Sequence, residues 1–227
     1  MVVNNFQIEV DNERLLRFLG SSGNKNVSPA VQQKIDRFSD RLEELVTPRI
    51  NFKLKPLASV KKDGVLLHDQ TWLKSPKLSR TFRSAKKVCF FIATIGHDLE
   101  RKVSECMEKN RYADAYVLDA MGSLVVENVT DQFHLRMERY YQARGQAVTL
   151  RFSPGYCDWS LREQPDVFNQ FEDPGNLGVT LSNTCLMTPR KSVSGVFGIV
   201  PKNGDQTIAD YNPCTNCSKT NCIARRG

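Results

Sequence analysis

Apolar positions recur with two distinct periods along this chain, and the change of period marks its elements. Residues 4 to 9 alternate weakly, in the manner of an edge strand, and Asp11 is placed to cap a short helix through Leu19. Gly20 to Asn26 reads as a loop. Ser28-Pro29 then opens a helix carrying Val31, Ile35, Phe38, Leu42 and Leu45 at three- and four-residue spacing, which ends before Thr47-Pro48. Residues 49 to 57 and 64 to 68 alternate as strands about the turn Lys61-Lys-Asp-Gly64. A short helix from about Ser75 to Ala85 and a buried strand over 87 to 95 follow. Gly96-His-Asp98 turns the chain into another helix, which Asn110 closes.

The longest helix is predicted over 111 to 142, with Ala113, Val117, Ala120, Leu124, Glu127, Asp131 and His134 along one line. That line begins small and apolar and ends polar. Glu127 therefore reads either as a solvated carboxylate at the rim of the core or as the wall of a pocket. After Gly145 the pattern changes. Ala147 to Phe152 reads as a strand, 161 to 172 as a short helix, and 178 to 200 as strand-like runs around Met187-Thr-Pro189. The elements predict an α+β fold, a twisted and mainly antiparallel sheet packed against long helices. Three segments follow: residues 1–85 as an N-terminal part of the domain, 86–202 as its core, and 203–227 as a cysteine-rich extension.

Composition narrows the functional classes. With 40% apolar residues the chain is an ordinary globular one. Its longest apolar run, Val88 to Gly96, falls far short of the roughly 20 residues that span a bilayer. The N-terminus has no basic and apolar leader, so a cytoplasmic address is expected. A net charge of +7 is dispersed along the chain, which disfavours nucleic acid and suits an acidic partner or an anionic ligand. The chain holds seven cysteines, and without an export signal they point to reduced thiols or metal ligation. Cys89 and Cys106 fall in apolar segments and read as inert core thiols.

The candidate chemistry gathers at Arg151-Phe-Ser-Pro-Gly-Tyr-Cys-Asp-Trp159. A guanidinium held at the end of a strand recognises a carboxylate or phosphate in two-pronged fashion. Pro154 fixes one backbone angle and Gly155 permits another that a side chain forbids, so the backbone can approach a ligand closely. Tyr156 is placed to stack on a flat ring or to donate a hydrogen bond. A plain strand-to-helix turn bearing a surface arginine accounts for the same six residues equally well.

Arg151 to Tyr156, together with Gly178-Val-Thr-Leu-Ser-Asn-Thr-Cys-Leu-Met-Thr-Pro-Arg-Lys-Ser-Val-Ser-Gly195, resembles the activation domain of cobalamin-dependent methionine synthase. Gly122-Ser-Leu-Val-Val-Glu127 resembles the stretch before it, and residues 1 to 85 match more loosely. The likeness is to the short, free-standing versions of that domain. It implies an S-adenosylmethionine site in which Arg151 engages the methionyl carboxylate, and the Ser153, Pro154 and Gly155 backbone reaches the adenosine. Tyr156 would hold the ligand, and Glu127 would take the ammonium. It also implies reductive methylation of a cobalamin, in which the protein's work is positioning. No Asp-x-His-x-x-Gly motif is present, so the corrinoid is expected on a separate methionine synthase or corrinoid protein, with an electron-donor protein as a further partner. Residues 140 to 146 carry no acidic group, a departure from the full-length enzymes.

Cys214-x-x-Cys217-x-x-x-x-Cys222 lies outside the resemblance. With Cys157 or Cys185 as a fourth ligand these thiols would suit zinc or an iron–sulfur cluster, and frayed reduced thiols are the plain alternative. Two rival functions remain open. One is a non-enzymatic metal or redox module that keeps the old pocket as a scaffold. The other, a small-molecule methyltransferase, lacks its Gly-x-Gly loop in this chain.

Overall fold

The apolar run at 87 to 95 forms a strand, Lys87–Thr94, in which every residue after Lys87 is buried. Such a strand is covered on both faces. A computed structural model of the chain describes residues 1–20, 27–172 and 177–202. Its strands are β1 (Val2–Val3), β2 (Arg49–Lys61), β3 (Gly64–Leu67), β4 (Trp72–Leu73), β5 (Lys87–Thr94), β6 (Gln146–Val148), β7 (Thr180–Leu181), β8 (Met187–Thr188) and β9 (Ser192–Pro201). Its helices are α1 (Asn12–Phe18), α2 (Pro29–Ser39), α3 (Pro76–Thr81), α4 (Asp98–Glu108), α5 (Tyr112–Gln142) and α6 (Gln164–Phe168). Among the described residues no helix is long and apolar enough to cross a membrane.

The described residues divide into two compact units. The first draws on residues 1–20, 27–51, 92–134 and 177–193, the second on residues 52–91, 135–172 and 194–202. Helix starts in both follow the residue chemistry. Asp11 accepts from the Arg14 amide at the head of α1, Ser28 from Val31 at α2, and Ser75 from Leu78 at α3. Pro29 and Pro76 occupy first-turn positions where an amide hydrogen would have no partner in the helix.

In the first unit the expected edge strand at 4 to 9 is not formed; only Val2 and Val3 pair, opposite Asn51 and Ile50. The side chain of Gln132 on α5 claims the backbone further on. The Gln7 amide donates to Gln132 Oε1 at 3.1 Å, and Gln132 Nε2 donates to the Gln7 carbonyl at 2.7 Å. Helix α2 also stops at Ser39 rather than running to Thr47. The amides of Arg41 and Glu44 bond to carbonyls three residues back, so the chain tightens into a 3-10 turn at Leu42–Leu45 before Val46 becomes extended. Asp114, in the first turn of α5, is buried and lies 2.6 Å from Lys34 Nζ and 3.0 Å from Arg37 Nη2. Burial pushes its carboxyl up, but hydrogen bonds from Lys34 and Arg37 outweigh that and hold it below the ordinary carboxylate value.

Helix α5 confirms its expected length, and Val117, Ala120 and Leu124 of its expected line are buried, but the buried stripe moves off that line further along. Ala113 and Asp131 are exposed and Glu127 is half-buried, whereas Leu118, Met121, Val125, Val129, Phe133, Met137 and Tyr141 are buried at helical spacing. The first half of α5 is apolar nearly all round, so periodicity there could not choose a face.

In the second unit the strands run in the order β4-β3-β2-β5-β9-β6. The pairings of β2 with β3, β3 with β4 and β6 with β9 are antiparallel. Phe82 meets Phe152 edge-on at 6.3 Å between centroids, and Phe91 lies 6.2 Å from Phe197. The α+β class with an antiparallel sheet thus stands as expected.

Candidate functional site

Arg151 owes its position to a break in a strand. Val148 pairs with Ile199, and the next antiparallel pairing is Phe152 with Val196, so four steps along one strand answer three along the other. Thr149 keeps the edge bonded, since its amide donates to the Gly198 carbonyl and its Oγ1 accepts from the Gly198 amide, both at 2.9 Å. Leu150 and Arg151 then leave the ladder as a bulge, a device that re-aims a side chain. The continuous strand expected over 147 to 152 is corrected accordingly: β6 ends at Val148. Arg151 is half-buried, with its Nη1 closed off from solvent.

The residues after Arg151 close on themselves. The Tyr156 amide donates to the Ser153 carbonyl at 3.2 Å, the Gly155 amide to Trp159 at 2.9 Å, and the Trp159 amide to Tyr156 at 3.1 Å. Gly155 has φ +90°, the left-handed conformation for which glycine is suited, and Cys157 adopts φ +57°. Pro154 is buried, Ser153 is half-buried, and the Tyr156 side of the turn faces solvent. Arg151, Ser153, Pro154, Gly155 and Tyr156 are therefore held together on one rigid turn. Glu127 belongs to the other unit, on α5.

The two sequence motifs meet at Gly195. A Cβ there would stand 2.5 Å from the Phe152 carbonyl oxygen, 2.9 Å from Ser153 Oγ and 3.0 Å from Phe91 Cζ. Only glycine lets β9 come this close to the start of the turn. The co-occurrence of the two motifs in the sequence thus has a physical cause.

Sequence reasoning missed what fastens the turn from the other side. Ser75 Oγ donates to Asp158 Oδ1 at 2.5 Å, and the Lys77 amide donates to Asp158 Oδ2 at 3.0 Å. Glu163 Oε2 accepts from Trp159 Nε1 and from the Lys74 amide, each at 2.8 Å. Trp159 itself is only 2% exposed. The Asp158-Trp159 pair was visible as part of the motif, but nothing in the sequence names its partners.

In the first unit a second network holds the segment before Gly195. Lys191 Nζ lies 2.9 Å from Asp119 Oδ1 and 2.9 Å from Ser123 Oγ on α5. Arg190 reaches Asp119 at 3.4 Å, and its amide donates to Glu100 at 2.6 Å. Ser192 Oγ donates to the Pro189 carbonyl at 2.7 Å and lies within hydrogen-bond distance, 3.0 Å, of Thr94 Oγ1. Gly122 makes room for this arrangement, since a Cβ there would stand 2.7 Å from Leu99 Cδ2 and 3.3 Å from Lys191 Cγ.

The cysteines divide as their neighbours suggest. Cys89 and Cys106 are buried, and burial pushes the Cys89 thiol far above its usual range. Cys157 is exposed and Cys185 is half-buried. Cys214, Cys217 and Cys222 lie outside the described residues. Among the described residues no group of three or more histidine, cysteine and acidic side chains has the geometry of a metal site.

A family model, "Vitamin B12 dependent methionine synthase, activation domain", matches residues 79–210, more than half of the chain. The chain belongs to that family. Among solved structures, the reactivation domain of MetH bound to S-adenosylhomocysteine superposes with a TM-score of 0.65 at 16% identity, covering 92% of this chain and 80% of that one. At that identity the likeness shows the activation-domain fold. Comparison with curated proteins finds no relative. The matched span contains both the Arg151 turn and the segment ending at Gly195.

Proposed function

We propose that this activation-domain protein binds S-adenosylmethionine at the Arg151 turn and supports reductive methylation of a cobalamin carried by a separate methionine synthase or corrinoid protein. The observation that carries the reading is the placement of Arg151 on a strand bulge beside a closed turn whose tyrosine is 47% exposed. A methionyl carboxylate suits a guanidinium fork, and an adenine ring suits an exposed tyrosine face. The turn backbone, fixed by Gly195, offers its polar groups to the adenosine without further ordering.

Held at the Arg151 turn, S-adenosylmethionine would supply the methyl group for a cobalt reduced by one electron from an external donor, with S-adenosylhomocysteine as the leaving product. This chain contributes binding and orientation, and it needs no general acid or base.

Calorimetric titration tests the reading. The unmutated protein should bind S-adenosylmethionine, and Arg151→Ala should bind it at least tenfold more weakly, the measure of a charge-assisted pair. No binding by the unmutated protein would sink the proposal, and equal binding by both would remove Arg151 from it.

A further inference from the structure

We infer that Asp158 and Glu163 are positioning residues that latch the Arg151 to Trp159 turn in its ligand-ready form. The inference rests on the ligand reading above for its functional consequence, but the latch itself rests on geometry within the second unit.

Three bonds internal to the turn set its shape, yet they leave its outer face in water, with Gly155, Tyr156, Cys157 and Asp158 all exposed. Exposed backbone bonds in a short loop open easily. Two anchors oppose this. Asp158 bridges Ser75 Oγ and the Lys77 amide with its two oxygens, so both prongs of one carboxylate are bound to the start of α3. Glu163 uses a single oxygen for two donors, the Trp159 indole and the Lys74 amide. The indole is thereby held in one orientation, and the Trp159 carbonyl accepts the Gly155 amide. A chain of contacts thus runs from Lys74 through Glu163 and Trp159 to Gly155, the residue whose positive φ shapes the turn. Asp158 accepts from a hydroxyl and an amide and Glu163 from an indole and an amide, all neutral donors whose bonds a charged acceptor strengthens. Neither residue is among those assigned to touch the ligand. Their effect on binding would pass through the turn.

The test separates the latch from the ligand. Hydrogen exchange of the peptide covering 152 to 159, in ligand-free protein, should quicken about tenfold in Glu163→Ala and in Asp158→Ala, while exchange in α5 stays unchanged. S-adenosylmethionine should bind about tenfold more weakly to the same variants. Glu163→Gln keeps an acceptor oxygen for both donors and should restore both readouts; Trp159→Phe removes only the indole donor and should reproduce part of the Glu163→Ala effect. Unaltered exchange in Glu163→Ala overturns the latch whatever the titration shows, as does a Glu163→Gln variant no better than Glu163→Ala. Faster exchange with unaltered affinity also overturns the positioning role. Faster exchange in a protein whose unmutated form binds no S-adenosylmethionine leaves the latch standing and removes the ligand reading instead.

Discussion

Gly195 lies so close to Phe152 that a single added methyl carbon would stand 2.5 Å from the Phe152 carbonyl oxygen. The carbonyl is not a flexible group that can step aside, because the Phe152 amide and carbonyl both pair with Val196 at 2.8 Å. Gly195→Ala should therefore displace the strand or the turn and destabilise the protein by about 1–3 kcal/mol, the usual size of an overpacking penalty. Urea denaturation checks the stability. Under the proposed function the same variant should also bind S-adenosylmethionine more weakly, and a stable Gly195→Ala protein with unaltered affinity would contradict the close approach described here.

Asp114 links acid sensitivity to one residue. Its folded pKa is depressed, so its contribution is present above the unfolded value of about 3.8 and is lost as pH falls through the folded value. Asp114→Asn should lower stability near neutral pH by roughly 1.5–3 kcal/mol, the range for hydrogen bonds to a charged group. The difference between variant and unmutated protein should shrink as pH drops below the carboxylate range. Denaturation curves at neutral and acid pH measure it; a constant difference would show that the carboxylate charge is not what stabilises the start of α5.

Thiol reactivity should follow burial. Among the four described cysteines, Cys157 should be alkylated first, Cys185 more slowly, and Cys89 and Cys106 only on unfolding. Peptide mass spectrometry after timed iodoacetamide treatment reads this order. Early labelling of Cys89 would contradict the burial that raises its pKa.

Phe133 is 1% exposed on α5, in line with Val129 and Met137. Phe133→Ala should remove about 3–5 kcal/mol of stability. Ala113→Ser, on the line that periodicity alone favoured, should be close to neutral, because Ala113 is exposed. Thermal or urea unfolding of the pair distinguishes the two faces.

Where local chemistry decided the structure, the sequence was readable. The Ser28-Pro29 and Asp11 caps, the turn at 61 to 64 and the strand at 87 to 94 stand where their residues suggest. Long helix α5 runs Tyr112–Gln142 against an expectation of 111 to 142. What failed depended on distant partners. The edge strand at 4 to 9 gave way to a glutamine 125 residues away, and the strand into Arg151 was broken by a bulge whose register only its partner strand defines. The turn after Arg151 was legible as a turn, since proline and glycine carry their own geometry. The partners of Asp158, Glu163 and Lys191 were not, since a carboxylate or an ammonium has no period by which to announce them.

The bond from Ser75 to Asp158 spans 83 residues, and it joins the start of a six-residue helix to a solvent-facing turn. A helix that short is not stable alone in water, since its nucleation is unfavourable and few bonds follow. Loop closure over such a distance must precede the contact that rewards it. Order in helix α3 and order in the Arg151 turn are consequently coupled, since each supplies the other's partner. A chain emerging from the ribosome cannot close the Ser75–Asp158 contact before residue 158 is synthesised, nor the Phe152–Val196 pair before residue 196 follows.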